Sequence, residues 1–172
     1  MDRLWSVGGA AWGVGGIVLL LTSAIYRLGR MAFDAFEYAF DWRHWALLIG
    51  FFLFMTISEG YQGFQKGFSP RVAARARYLA NHPNPVHAIF APFFCMGFFY
   101  ATRKRKLTSF IITSGIISLV IIVSYVPQPW RGIIDFGVAA GLIWGLVALV
   151  LFTVSAFTSE SFTYPTDVPD QT

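Results

Sequence analysis

Residues 107–126, LTSFIITSGIISLVIIVSYV, form a run of twenty residues without one charged side chain. A helix rises about 1.5 Å per residue, so such a run covers the roughly 30 Å hydrocarbon core of a bilayer. Lipid offers no water to unpaired backbone amides, which leaves the hydrogen-bonded helix as the form this run takes. Composition extends the inference to the whole chain: hydrophobic residues make up 56% and charged residues only 13%, against about 25% charged in an average soluble domain. The expected fold is therefore all-α, a polytopic membrane helical bundle. The single cysteine, Cys95, excludes an intrachain disulfide and a cysteine-built zinc site.

Further apolar runs at 4–28, 45–61, 85–100 and 133–157 bring the expected count to five transmembrane helices. In the first, the small residues Thr22, Ser23 and Ala24 are followed at once by bulky Ile25, Tyr26 and Arg27, which argues for a retained span over a cleaved signal peptide. The run 85–100 is the shortest, holds Pro92 and Gly97, and is entered through Pro83 and Pro85, so the alternative is four spans plus one re-entrant segment. With five spans, lysines and arginines divide six against seven between the two faces; with a re-entrant 85–100 they divide nine against four. Orientation stays open on that point, in what is expected to be a plasma or inner membrane. Residues 1–158 form one transmembrane domain in this reading, and 159–172 a polar, disordered tail.

Between the first two runs, Phe33, Phe36 and Phe40 recur at i, i+3 and i+7, with Asp34, Glu37 and Asp41 one position later. That spacing predicts an amphipathic helix lying in the interface. A second interfacial helix is expected to start at Ser69-Pro70 and stop before Pro83, made basic by Arg71, Arg75 and Arg77. Each arginine near anionic headgroups gains about 1 kcal/mol, so the lipid surface is the first expected partner. Small residues mark the helix-packing faces: Gly137, Gly141 and Gly145 in the last run, Gly9, Gly13 and Gly16 in the first. Such glycine-zipper stripes let another helix approach closely, within one chain or between copies.

Chemistry has few candidates. Glu59 follows the uncharged stretch 45–58, and helical spacing puts Gln62 and Lys66 on its face. It is expected to pair with Lys66 or Arg71, or to serve as a ligand or proton site, the default reading of an intramembrane carboxylate. Asp34, Glu37, Asp41 and His44 follow helical spacing, and Asp41-x-x-His44 matches half a di-iron motif, but the second half is absent even with His82 and His87 considered. No metal and no cofactor is expected. No nucleophile elbow, phosphate-binding loop or dinucleotide fingerprint occurs, so no catalytic residue is assigned and enzymatic activity is left open. The basic stretch lacks interleaved aromatics, which argues against nucleic acid.

Two functions follow. The favoured one is a non-catalytic accessory, assembly or scaffold subunit docking other membrane subunits, copies of itself or lipid. The alternative is a small membrane enzyme or carrier for an anionic amphiphile, using Glu59 and the basic stretch Arg71, Arg75 and Arg77. A pocket faced by both Glu59 and one of those arginines separates them, because only the second function needs it.

Overall fold

The computed structural model describes residues 2–169, with side chains from residue 6 onward. Its elements are α1 (Asp2–Asp34), α2 (Trp42–Met55), a π-helical segment (Thr56–Phe68), α3 (Ser69–Asn81), α4 (Pro85–Ile89), α5 (Ala91–Met96), α6 (Arg103–Ser124) and α7 (Trp130–Thr158). No strand occurs among the described residues. Four stretches are long and apolar enough to cross a membrane: Ser6–Glu37, Trp42–Asn81, Arg103–Ser124 and Trp130–Thr158.

The expected five spans therefore become four. Residues 85–100 fold as helices of five and six residues, about 8 and 9 Å long at 1.5 Å per residue and far short of a crossing. Pro92 at the start of α5 removes a backbone donor, and Gly97 ends α5 at φ 84°, a left-handed conformation that favours glycine. The folded-back segment leans on the first glycine set: a Cβ at Gly9 would meet the Ala88 methyl at 2.8 Å, one at Gly13 the Cys95 Sγ at 2.9 Å, and one at Gly16 the Pro92 ring at 2.6 Å. The second set receives α2 and the π segment. A Cβ at Gly137 would run into the Phe51 ring, one at Gly141 would come 3.2 Å from the Met55 carbonyl, and one at Gly145 would run into the Phe64 ring. The nearest neighbours of both sets are residues of this same chain.

Neither interfacial helix forms as expected. Residues 31–34 complete α1, Ala35–Glu37 make one 3-10 turn, and α2 restarts at Trp42 behind the N-cap Asp41. The aromatic rings meet one another: Phe36 stacks on Phe40 at 5.3 Å and meets Phe136 edge-on at 6.3 Å. The second does begin at Ser69, but it continues the helical stretch Trp42–Asn81 and lies inside the bundle, with Val72, Ala73, Arg75, Ala76 and Leu79 fully buried. Alanines at 73, 74 and 76 keep its surface low enough for α1 and α7 to close around it.

The polar tail is also ordered where described. Thr102 N donates to the Asp167 carbonyl at 2.9 Å, Val168 is fully buried, and Tyr164 meets Phe152 edge-on. Residues 170–172 lie outside the described residues. The start of α1, the end of α3, residues 85–105 and the tail gather at one end of the bundle, called here the tail end. The opposite, or turn, end joins the end of α1 to the 128–132 loop, through Gln128 donating to the Met31 carbonyl and the His44 ring against Trp130.

Candidate functional site

α6 is the least buried of the four long helices. Between it and the rest of the bundle runs a cleft of about 450 Å³. One face of α6 lines it from Arg105 through Ser109, Ile112, Ile116 and Val120 to Val123, a length of about 27 Å at 1.5 Å per residue. Ile17, Leu21 and Ala24 of α1, Phe64 of the π segment, and Val138 and Leu142 of α7 form the facing wall. The walls are apolar and the ends are not. Arg71, Arg105, Thr108 and Ser109 border the tail end, and Arg27, Arg131 and Asp135 the turn end.

Glu59 lines the cleft between those ends. It lies beside Gly141, eleven residues along α7 from Trp130, about 16 Å in and so near mid-bilayer depth. Hydrogen bonds in the π segment run from residue i to i+5, which places residues four and five apart on one face. Glu59, Gly63, Phe64, Gly67 and Phe68 accordingly share the cleft wall. Gln62 and Lys66, expected beside Glu59, are exposed elsewhere, and Lys66 Nζ sits 4.4 Å over the Tyr61 ring. Glu59 forms no ion pair among the described residues. The tether to Lys66 or Arg71 is therefore not made.

The three arginines of α3 diverge. Only Arg71 reaches the cleft, with its Nε 3.8 Å from Asp167 Oδ2. Arg75 is fully buried and donates to the carbonyls of Phe94 (2.6 Å), Thr166 (2.8 Å), Phe99 (3.0 Å) and Tyr100 (3.1 Å). Its guanidinium also lies 4.2 Å from the Phe94 ring centre. Arg77 donates to the Ser159 carbonyl and ties down the start of the tail. Arg75 and Arg77 are spent on backbone carbonyls, whereas Arg71 lines the cleft.

Arg105 is the cleft residue that charge counting missed, because it sits in the block 103–106 that reads as an exposed basic flank. It is buried, and its side chain crosses over Gly97, where a Cβ would come 2.9 Å from Nε. Ser109 Oγ, one turn on, donates to the Met96 carbonyl at 2.9 Å. Nearby, burial pushes the Cys95 thiol up to about 12 and holds the His87 imidazole below its ordinary range, with Arg75 adding to the second effect. Cys95 is thus an inert thiol in the core.

Six buried side-chain polar atoms among the described residues have no hydrogen-bond partner. Four belong to residues lining the cleft: Glu59 Oε2, Arg105 Nε, Arg131 Nε and Asp135 Oδ2. Arg131 Nε and Asp135 Oδ2 face each other as an ion pair at 3.6 Å, which leaves Glu59 Oε2 and Arg105 Nε as the cleft atoms of this set without a polar partner. No group of three or more histidine, cysteine or carboxylate side chains converges among the described residues. The fold and the cleft together describe a helical protein with four candidate membrane spans and a long apolar groove bounded by arginines. Comparison with protein-family models, with curated proteins and with solved structures returns no match.

Proposed function

We propose that this protein binds an anionic, phosphate-bearing amphiphile in the cleft, with the headgroup at Arg71 and Arg105 and the chain lying along the apolar wall toward Glu59. The observation that carries this reading is a long apolar groove lined at one end by Arg71 and by Arg105, whose buried Nε lacks an acceptor, with Glu59 lining the same groove. Two guanidiniums at one end of the cleft suit a phosphate, which takes several donors at once. The apolar walls suit an acyl or isoprenoid chain. The function is one of holding or presenting the amphiphile, as an accessory subunit or carrier would.

The exposed outer face of α6, including Ile111, Ile117, Ile121 and Ile122, fits a scaffold that docks other subunits. In a bilayer the same face is covered by lipid alone, so the cleft is the more specific sign. A four-span path with residues 85–100 folded back puts nine lysines and arginines at the tail end and four at the turn end. That imbalance favours a cytoplasmic tail end.

The test is to purify the protein in mild detergent and to identify retained lipids by mass spectrometry. Anionic phospholipid should be enriched over the surrounding membrane. Arg71→Gln and Arg105→Gln should each reduce that enrichment while thermal melting shows the fold kept. A retained lipid mixture matching the bulk membrane would overturn the reading.

A further inference from the structure

We propose that the turn end of the cleft is a second anion-binding site, formed by Arg27 and Arg131 with Asp135, so that the cleft holds two anionic amphiphiles, one from each leaflet. This rests on the reading of the tail end as a headgroup site. Length is the first argument. The α6 face from Arg105 to Val123 spans about 27 Å, whereas one leaflet supplies about half of the 30 Å core. An amphiphile anchored at Arg71 and Arg105 reaches the level of Glu59 and leaves the stretch from Leu119 and Val138 to Arg131 to be filled from the other side.

Charge is the second argument, because the two ends carry the same set of groups. At the tail end Arg71 and Arg105 lie within electrostatic reach of each other and of Asp167. At the turn end Arg131 Nε lies 3.6 Å from Asp135 Oδ2, and Arg27 on α1 lies within reach of the same carboxylate. Each end thus keeps one net positive charge.

Asp135 is 4% exposed, and its Oδ2 has no hydrogen-bond donor. It sits one helical turn deeper than Arg131, so it steadies that guanidinium from the bilayer side while the outer donors stay available to a headgroup. Glu59, at mid-depth, opposes passage of a phosphate from one end to the other.

The test titrates the full chain in detergent with dioleoyl phosphatidylglycerol and counts bound lipids by native mass spectrometry. Wild type should retain two. Arg27→Gln should leave one, the lost lipid binding about fivefold or more weakly, and Arg71→Gln should leave the other. Arg131→Gln strips Asp135 of its ion-pair partner and can unfold the chain, so the paired variant Arg131→Gln with Asp135→Asn removes both charges, leaves the net charge of that end unchanged, and should also leave one because the Arg131 donors are gone. Retention of two lipids by both Arg27→Gln and the paired variant would overturn the second site. A wild type that retains only one lipid, lost on changing either end, would overturn it as well, in favour of one ligand that spans both ends. No lipid retained by wild type would overturn the reading of the whole cleft.

Discussion

Four main-chain carbonyls, from Phe94, Phe99, Tyr100 and Thr166, converge on the Arg75 guanidinium. No carboxylate takes part. The planar fork with its five donors meets carbonyls lying in different directions, which the compact ammonium of lysine does not reproduce. Arg75→Lys should therefore destabilise the protein although it keeps the charge, and Arg75→Met should cost about 3 kcal/mol or more, because buried carbonyls are left without donors. Thermal unfolding in detergent checks this, and melting within a degree or two of wild type for both variants would refute it. From the sequence, Arg71, Arg75 and Arg77 look alike. What separates them is the direction each takes from α3, which depends on α5 and the tail folding back over it.

Among the elements, four of the long apolar runs were legible because they follow from lipid's demand for helices with closed backbones. The π segment was not: i+3 and i+7 spacing put Gln62 and Lys66 beside Glu59, where i→i+5 bonding puts Gly63 and Phe64 instead. The run 85–100 looked long enough to cross, and only Pro92 and Gly97 betrayed its division.

Glycines at contacts and in open space differ sharply. Gly137→Leu should drive into the Phe51 ring and cost about 1–3 kcal/mol of overpacking, whereas Gly115→Leu on α6, with no neighbour within 4 Å, should leave melting unchanged. Equal effects would show the stripe misplaced.

The start of α2 should respond to acid. Asp41 Oδ1 accepts from the His44 and Arg43 amides, and the first of these above all holds the carboxyl below its ordinary 3.8. Because the folded state lowers this pKa, the cap stabilises fully above the unfolded value and fades as pH falls through the folded one. Helicity at residues 41–45 should fall on acidification below about pH 4, and Asp41→Asn should abolish that response. Amide hydrogen exchange resolves it, and an unchanged response in Asp41→Asn would exclude the cap as its source.

For the whole molecule, four crossings place the end of α3 and the start of α6 on one side, where five would place them on opposite sides. Cysteines introduced at Asn81 and Lys104 should be shielded together from a membrane-impermeant maleimide on intact cells, while one at Tyr125 should react. The native Cys95, with its thiol pushed up to about 12, should stay silent. Opposite labelling of positions 81 and 104 would restore the fifth span. Trp42, Trp45, Tyr125 and Trp130 all stand exposed at the turn end, where aromatic residues suit a headgroup layer.

The Arg75 knot also bears on the order in which the chain is made. Its Thr166 carbonyl comes 91 residues later, about 5–20 s of synthesis at ribosomal speed. Until then α3 holds a buried cation whose set of acceptors is incomplete. The tail end consequently cannot lock before nearly all of the described chain has emerged, and the segment around Thr166 serves as the latch on the helix at the centre of the bundle.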